Sequence, residues 1–302
     1  MTNEQPRLAV ALREPLPWAS LLELVRTSED TGYEGVFVPE VGNREAFSQL
    51  AAMAMVSSRL SLATGVVAMD ARRADTTATA ALTLNELSGG RHVLGLGAGF
   101  RRLDEFLAHV EDVRRAFAGH PLGPPPPVWL AALGDRAVEA AASRADGVLL
   151  NWCTPERLRR ARESVDRVRQ GSERPFTVAV YVRCCLTGVA DEAPIAALRE
   201  ATATYASLPH YRRQLEAVGL GNDADVAAKA LQEGSLELVP ESLVDALCVR
   251  GGPEAFRRRA AEFAEAGADL VVVYPVPARE PASSMLGTIL AAAPQEGLRA
   301  RD

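Results

Sequence analysis

Short aliphatic runs alternate with longer amphipathic stretches along the whole chain, and this alternation constrains the fold more than any other feature. The runs are rich in β-branched and aliphatic residues and have the length of a strand, as in GVFVPE from Gly35 and ADLVVVYPV from Ala268. Strands that alternate with helices form βα units, in which the strands lie parallel in one sheet. Eight such alternations follow one another in the sequence, which favours a closed (β/α)8 barrel.

The predicted elements follow these runs and the signals that start helices. Asp135 is the predicted N-cap of one helix, and Thr154 the N-cap of another that starts at Pro155. A long, mostly helical insertion from Asp191 to Ala266 separates the seventh and eighth strands. The strands are predicted at 8–14, 35–40, 60–68, 92–99, 128–133, 147–152, 176–187 and 268–276. The other helices are predicted near 18–30, 44–57, 76–87, 103–118, 136–145 and 282–293.

An open, doubly wound sheet would give the same alternation, but its nucleotide-binding signature is missing. No strand–GxGxxG–helix unit stands near the N-terminus with an acidic residue about 20 positions later. The GLGAGF segment at Gly95 has a different spacing, and by itself is a weak signal of cofactor contact. At 302 residues the chain has the length of one barrel, so we predict a single TIM-barrel domain over residues 1–302.

Composition and charge exclude several kinds of partner. The net charge of −6 and pI near 5.4 do not favour nucleic acid or an anionic membrane surface. The apolar runs are too short to span a bilayer, and the N-terminus lacks the features of a secretory signal. The 4 cysteines have no C-x-x-C spacing and are expected to be free thiols. We therefore expect a cytoplasmic protein whose ligands are small molecules.

The distribution of reactive side chains excludes several barrel chemistries. Lys229 is the only lysine and lies in a predicted helix, which argues against Schiff-base catalysis. The 4 histidines form no H-x-H pair, so no metal site is predicted. Among the ends of strands two to eight, Glu40 is the only clear acidic residue, whereas a glycosidase requires two carboxyl groups.

The strand ends instead provide backbone, which suits a flat ring or a phosphate. Glycine lets main-chain N–H groups approach a ligand closely. The helix after Leu133 and Gly134 presents its N-terminus as a phosphate site, where Arg136 would add positive charge. Arg101 or Arg102 would pair with an acidic tail, if the bound ligand carries one. A site of backbone and apolar walls is typical of hydride transfer, in which a cofactor carries the chemistry.

Several segments together resemble one family over almost the whole chain. TLNELSGGRHVLGLGAG from Thr83 and ADGVLLNW from Ala145 are specific, and TGYEGVFVPE from Thr31, LSLATGVVAMDARR from Leu60 and GGPEAFRRRAAEFAEAGADLVVVYP from Gly251 support them. With these motifs the chain resembles the luciferase-like monooxygenase superfamily, in particular its deazaflavin (coenzyme F420)-dependent oxidoreductases. The resemblance implies a barrel with the ring system at the carboxyl ends of the strands, and usually a dimer.

The resemblance also implies which residues form the site. It places a cis peptide at Gly65-Val66 against one face of the deazaflavin. It makes Glu40 and Asn151 the catalytic candidates, with Glu40 bordering the ring and Asn151 near the substrate. The cofactor-binding candidates are Glu40, Gly65, Val66, Gly97, Ala98, Gly99, Ala131, Ala132, Leu133 and Gly134.

Two positions depart from the family pattern and leave three functions open. Where many members have a histidine after the strand-two acid, this chain has Val41, and where some have a proton-donating glutamate it has Phe100. The leading hypothesis is an oxidoreductase that moves a hydride between coenzyme F420 and a small organic substrate. Titration of the protein with the cofactor tests this hypothesis. The alternatives are an FMN-dependent monooxygenase of the same family, and a barrel that binds the cofactor without catalysis.

Overall fold

Parallel strands close into a barrel with helices between them, which confirms the predicted fold class. The computed structural model describes residues 6–41, 44–186 and 193–294. The strand order is β10-β1-β2-β3-β5-β6-β7-β8, and β10 pairs with β8 to close the ring, while β4 pairs with β5 and β9 with β8. The strands are β1 (Arg7–Ala11), β2 (Gly35–Val38), β3 (Ser61–Thr64), β4 (Val67–Ala68), β5 (His92–Gly97), β6 (Val128–Ala132), β7 (Gly147–Leu150), β8 (Thr177–Cys185), β9 (Cys248–Arg250) and β10 (Leu270–Pro275).

Helices connect successive strands and cover the outside of the barrel. Their apolar faces pack on the outward-pointing side chains of the strands in one large hydrophobic cluster. The helices are α1 (Trp18–Asp30), α2 (Ala46–Ala54), α3 (Ala74–Leu87), α4 (Leu103–Phe117), α5 (Asp135–Arg144), α6 (Pro155–Val168), α7 (Ala193–Ala206), α8 (Pro209–Ala217), α9 (Gly221–Glu233), α10 (Glu241–Leu247), α11 (Pro253–Glu265) and α12 (Pro281–Ala292).

Alternate residues of each strand point into the barrel, where aromatic side chains fill the interior. Successive side chains of a strand point to opposite faces, so every second residue faces inward. The Phe37 ring lies 5.9 Å from the Trp129 ring and 6.2 Å from the Tyr181 ring, which joins β2, β6 and β8 across the interior. Gly147 leaves room for Trp129, because a Cβ there would lie 2.7 Å from the indole nitrogen. The interior is therefore packed, and the barrel is not a pore.

The third predicted strand is interrupted, contrary to the single run predicted from Leu60. It divides into β3 and β4 at Gly65-Val66, whose peptide bond is cis, as the family resemblance implies. Backbone hydrogen bonds run from Gly65 N to Val38 O at 2.9 Å and from Glu40 N to Val66 O at 3.2 Å. These bonds attach the bulge to the end of β2. They do not continue the regular hydrogen-bond ladder between two strands, and the chain bends at this point.

The predicted insertion is mostly helical, as expected, but it also contains a strand. Helices α7 to α10 follow β8, and β9 then pairs with the far end of β8 through Arg183, Cys184 and Cys185. The insertion packs around its own hydrophobic cluster, which includes Trp152 of the barrel. The predicted start of the insertion at Asp191 lies outside the described residues, as does Thr187 at the predicted end of the seventh strand.

The two predicted helix caps have different outcomes. Thr154 caps α6 as predicted, because its hydroxyl accepts from Arg157 N at 3.2 Å and Pro155 occupies the first turn. The prediction for Asp135 is wrong, because the N-cap of α5 is Gly134 and Asp135 is its first residue. The Asp135 carboxylate instead pairs with Arg157 at 2.9 Å, a partner contributed by the next helix.

The cysteine and lysine predictions agree with the structure. Cys153, Cys184, Cys185 and Cys248 are buried, and no disulfide joins any of them within the described part of the chain. Lys229 lies exposed on α9, 3.7 Å from Glu233, and is part of a helix as predicted. Among the described helices, none combines the length and apolar character that crossing a bilayer requires.

Candidate active site

A cavity of about 430 Å³ lies at the carboxyl ends of the strands, where barrel active sites are found. All the catalytic and cofactor-binding candidates that the family resemblance implied line this cavity, so the structure brings them together. They are Glu40, Gly65, Val66, Gly97, Ala98, Gly99, Ala131, Ala132, Leu133, Gly134 and Asn151. The volume is in the usual range for a small-molecule or cofactor site.

One side of the cavity, here called the glycine wall, presents almost only backbone and small side chains. Its close packing depends on glycine at particular positions. A Cβ on Gly97 would lie 2.6 Å from Val66 Cγ2, and a Cβ on Gly65 would lie 2.0 Å from the Tyr181 hydroxyl. Gly99 has φ +58°, a conformation that favours glycine. The glycine wall consists of Gly65, Val66, Gly97, Ala98, Gly99, Ala131 and Ala132.

A buried tyrosine of β8 holds the bulge at Gly65-Val66 in place. The Tyr181 hydroxyl donates to Gly65 O at 2.6 Å. Burial raises the pKa of Tyr181 well above its usual value, so the phenol stays protonated and its hydrogen is committed to this carbonyl. Tyr181 therefore supports the wall.

The Glu40 carboxylate has partners within the fold. It accepts from Ala46 N at the start of α2 at 2.9 Å and from Arg72 Nη2 at 3.0 Å. The side chains of Glu40 and Arg72 are only 14% and 16% exposed, so this ion pair is largely shielded from water. Arg72 also lies 3.1 Å from Glu45, the N-cap of α2. Glu40 thus ties the end of β2 to α2 and α3 at the edge of the cavity.

The start of α5 forms the floor of a second, adjoining cavity of about 280 Å³. Arg157 is 5% exposed, and its guanidinium donates to Leu133 O at 2.7 Å while it pairs with Asp135. The first N–H groups of a helix have no partner within the helix, so they can meet an anion. This second cavity is lined by Leu133, Gly134, Asp135, Arg157, Arg160, His210, Arg213, Gln214, Ala217 and Val218.

The arginines that line the second cavity are not the ones that the sequence suggested. Arg136 is exposed and lines neither cavity. Arg102 pairs with Asp104 on the surface at 3.0 Å, although Arg101 does line the main cavity. Helices α6 and α8 bring Arg157, Arg160 and Arg213 to the second cavity from positions distant in sequence.

The opposite side of the main cavity contains a buried arginine surrounded by aromatic rings, here called the Arg183 cluster. Arg183 is 3% exposed, and its guanidinium carbon lies 4.2 Å from the centre of the Trp152 ring. The corresponding distances are 4.3 Å to the ring of Tyr274 and 4.8 Å to that of Tyr205. Cation–π contacts of this kind stabilise a desolvated cation. The cluster consists of Asn151, Trp152, Arg183, Tyr205, Tyr211 and Tyr274.

Asn151 connects the buried arginine to a tyrosine of the insertion. Arg183 Nη1 donates to Asn151 Oδ1 at 2.6 Å, and Asn151 Nδ2 donates to the Tyr211 hydroxyl at 2.6 Å. Gln214, one turn further along α8, donates to Trp152 O at 2.5 Å and to Asn151 O at 3.1 Å. These bonds attach α8 to the end of β7, where Trp152 has a positive φ of 50°.

Burial dominates the electrostatics of two tyrosines in the Arg183 cluster, Tyr274 and Tyr211. It raises the pKa of Tyr274 to about 12, against the opposing effect of the Arg183 cation. It also raises the pKa of Tyr211 above its usual value. Both phenols are therefore protonated at neutral pH and available as hydrogen-bond donors.

Sequence reasoning missed Arg183 and the tyrosines around it. Arg183 lies inside the strand predicted at 176–187, whereas site residues were expected only at strand ends. However, β7 ends where Leu150 pairs with Val180, and β8 continues to Cys185, so Arg183 stands at the height of the other strand ends. A lone charged residue on the inward face of an apolar strand, two positions after Tyr181, was the available signal.

The two positions that depart from the family pattern lie at the mouth of the cavity. Val41 is 51% and Phe100 85% exposed, and the Phe100 ring lies 6.1 Å from that of His210. Neither side chain carries a proton that can be transferred. Trp152 follows β7 but is 2% exposed and packs on Arg183, and it is not among the residues that line the cavity.

Comparison with known proteins identifies related sequences. A sequence model of the luciferase-like monooxygenase family matches residues 3–116 and 105–270. The chain is 28% identical over 315 residues to a Mycobacterium tuberculosis protein assigned to the coenzyme F420-dependent oxidoreductases, an alignment that covers 83% of this chain and 89% of that protein. It is 28% identical over 290 residues to the 5,10-methylenetetrahydromethanopterin reductase of Archaeoglobus fulgidus, covering 82% and 87%.

Comparison with solved structures supports the fold. The coenzyme F420-dependent tetrahydromethanopterin reductase of Methanopyrus kandleri superposes with a TM-score of 0.76 at 18% identity. The match covers 95% of this chain and 98% of that one. At this identity the likeness concerns the fold, and the site has to be judged from its own residues.

Proposed function

The chain belongs to the luciferase-like monooxygenase family, and on this premise we propose that it is a coenzyme F420-dependent oxidoreductase. The reaction proposed is transfer of a hydride between the deazaflavin and a small organic substrate. Of two relatives that align over most of this chain, one is named as a coenzyme F420-dependent oxidoreductase and the other as a 5,10-methylenetetrahydromethanopterin reductase. The observation that carries the proposal is the glycine wall, which faces the cavity at the carboxyl ends of the strands.

The glycine wall fits a flat ring system. Apart from Val66, no side chain of the wall extends beyond Cβ, so a planar ligand can lie directly against the backbone. The wall is rigid because Tyr181 fixes Gly65 and because Val66 packs against the position where a Cβ of Gly97 would be. Such a wall would hold the deazaflavin ring, which when bound supplies or accepts the hydride.

The second cavity fits the anionic part of the same coenzyme. Deazaflavin coenzymes carry a phosphate and an acidic tail beyond the ribityl chain. Gly134 is shared by the two cavities and leaves open space where a Cβ would be. The N-terminus of α5 would hold the phosphate, and Arg160 and Arg213 would pair with the acidic tail.

The remaining residues of the cavity position the substrate and exclude water. Tyr205, Leu208 and Tyr211 of the insertion line the side across from the glycine wall. A substrate between the two surfaces is held against the ring, and its orientation reduces the entropic part of the barrier. Glu40 contributes indirectly, because its bonds to Arg72 and Ala46 fix the end of β2 beside the bulge.

Titration of the purified protein with coenzyme F420 and, separately, with FMN tests the proposal through fluorescence quenching. We expect saturable binding of coenzyme F420 at tens of micromolar or below, and weaker binding of FMN. Absence of binding of either compound would contradict the cofactor site. Tighter binding of FMN than of coenzyme F420 would favour the monooxygenase alternative, since the wall itself accepts either ring.

The non-catalytic alternative is tested by turnover. Val41 and Phe100 motivate it, because neither can move a proton. Reduced coenzyme F420 is first bound to the protein, and organic acceptors are then added. The absorbance of the coenzyme shows whether it becomes oxidised. Any acceptor-dependent oxidation above the rate in free solution removes this alternative.

We also propose that the enzyme works as a homodimer in the cytoplasm. The family resemblance supports the dimer, and the four free thiols agree with a reducing compartment. Light scattering coupled to size exclusion measures the molar mass directly. A mass of one chain, 32.2 kDa, at micromolar concentration would contradict the dimer.

A further inference from the structure

The hydrogen bonds of the Arg183 cluster have only one possible direction. An arginine side chain donates and does not accept, so the Asn151 atom that faces Arg183 must be the oxygen. The amide nitrogen therefore faces Tyr211 and donates to its hydroxyl oxygen. Because the oxygen of Tyr211 accepts this bond, its own hydrogen points elsewhere.

The free hydrogen of Tyr211 has no acceptor among the described residues. Among the described residues, the Tyr211 hydroxyl has one hydrogen bond, which it accepts from Asn151. Tyr211 also lines the main cavity. Its ring packs between Tyr205, at 4.9 Å, and His210, at 4.6 Å, so the hydroxyl is held in place by rings as well as by the amide. A fixed donor that faces a cavity is available to a ligand.

The other cavity residues that carry a proton are occupied or unsuitable. Tyr181 donates to Gly65 O, and Glu40 accepts from Ala46 N and Arg72. Burial and the neighbouring Arg213 lower the pKa of His210, so at neutral pH it holds no extra proton to give. Tyr205 and Tyr274 line the cavity too, but both rings lie against Arg183, and among the described residues no amide orients either hydroxyl. Tyr211 is the best-positioned donor.

We propose that Tyr211 is the catalytic proton donor of the reduction and that the substrate is an organic carbonyl compound. This inference rests on the proposed function. The hydride adds to the carbonyl carbon, the C=O π bond breaks, and the oxygen takes the proton of Tyr211. The carbonyl gains two electrons and becomes an alcohol, and the deazaflavin is oxidised by two electrons. The phenolate of Tyr211 then recovers a proton from water.

Asn151 and Arg183 are positioning residues for this step. The N–H of Asn151 directs the Tyr211 hydrogen toward the substrate and stabilises the phenolate that remains. The Arg183 cation holds the amide and stabilises the same negative charge through it. The insertion thus supplies the proton that Val41 and Phe100 lack.

The test measures oxidation of reduced coenzyme F420, bound to the full-length protein, by benzaldehyde, cyclohexanone and menadione in single turnovers. We expect Tyr211→Phe to slow the reaction by about 100-fold, the usual contribution of a general acid, with coenzyme affinity unchanged. The unmodified protein should react more slowly in D2O than in H2O, and Tyr211→Phe should lose this difference. Tyr33→Phe is the matched control, because its hydroxyl donates to Ile289 O outside the cavity.

Asn151→Asp tests the orientation independently of Tyr211. The carboxylate keeps one oxygen toward Arg183, but its second oxygen accepts from Tyr211 and withdraws the donor from the substrate. We expect a loss of about 10- to 100-fold in the same assay, with coenzyme affinity retained.

Three results would overturn the inference. They are an unchanged rate in Tyr211→Phe, a loss in Tyr205→Phe but not in Tyr211→Phe, and no reaction of the unmodified protein with any of the three carbonyl probes. Binding of coenzyme F420 is measured first in each case. Failure of the unmodified protein to bind it contradicts the proposed function, whereas binding without dependence on Tyr211 contradicts only this inference.

Discussion

The glycine wall and the Arg183 cluster face each other across one cavity but are built by opposite means. The wall consists of backbone and small side chains from β3 to β6, with each contributing segment continuous in sequence. The cluster brings together β7, β8, β10 and two helices of the insertion, and its contacts are between side chains. The wall therefore provides shape, whereas the cluster provides charge and protons. The predictions below separate these two contributions, from the largest expected effect to the smallest.

Replacement of the buried cation should give the largest effect. In Arg183→Met we expect turnover to fall by about 100-fold, because the amide that orients Tyr211 loses its partner. Coenzyme affinity should stay the same, since Arg183 contacts Asn151 and aromatic rings and not the glycine wall. The free energy of unfolding should change by only about 1 kcal/mol, because an apolar side chain fills the aromatic surroundings without the desolvation cost.

These three quantities are measured by single turnover, fluorescence titration and denaturant unfolding. A large loss of coenzyme affinity in Arg183→Met would mean that the two regions are not separate. Loss of the solvent isotope effect, as in Tyr211→Phe, would place Arg183 in the proton-transfer step, and its retention would contradict that role.

A charge at the phosphate site should have the next largest effect. In Gly134→Glu we expect coenzyme F420 affinity to fall by about 10-fold, because a carboxylate at the start of α5 repels the phosphate. Gly134→Gln has nearly the same size without the charge, and Gly134→Ala adds only a Cβ where the structure leaves open space. Both controls should bind nearly as tightly as the unmodified protein in the fluorescence titration. An equal loss of coenzyme affinity in Gly134→Gln and Gly134→Glu would mean that the size of the side chain, and not its charge, causes the loss.

A single methyl group in the glycine wall should have a smaller effect on function. In Gly97→Ala the new Cβ would lie 2.6 Å from Val66 Cγ2, so the bulge has to move. We expect a loss of about 1–2 kcal/mol in unfolding free energy and a severalfold loss of coenzyme affinity. Denaturant unfolding and titration measure the two losses. Gly134→Ala serves again as the matched change, and similar behaviour of the two variants would contradict the close packing of the wall.

Raising the pH should have the smallest effect. The charged and titratable groups that face Tyr211 are Arg183, Tyr205, Tyr274 and His210. Burial raises the pKa of Tyr211 above its usual value, and a raised phenol pKa keeps the donor protonated as the pH increases. The single-turnover rate should therefore stay nearly constant up to about pH 10, the pKa of a free tyrosine. A decline that starts near neutral pH would assign proton donation to another group.

Much of the fold could be predicted from the sequence because its signals are local. Alternation of apolar runs with amphipathic stretches placed all the barrel strands, and Thr154 with Pro155 marked the start of α6 correctly. Boundaries were less accurate where a tertiary contact ends the element. The run from Leu60 looks continuous in sequence, but Tyr181, more than a hundred positions later, holds Gly65 in the bulge. Asp135 is not the cap of α5, because Gly134 is the N-cap and Asp135 lies in the first turn, where its carboxylate pairs with Arg157.

The sequence by itself determined the barrel and the glycine wall, and the tertiary structure decided the Arg183 cluster. Strands and glycine-rich strand ends follow from the period and composition of contiguous residues, and parallel strands bring their carboxyl ends to one side. The pairing of Arg183 with Asn151, and of Asn151 with Tyr211, spans 32 and 60 positions, and no local pattern encodes these distances. Only the closed barrel and the docked insertion bring these side chains into contact, because the extra length of β8 and the packing of α8 on β7 exist only after folding.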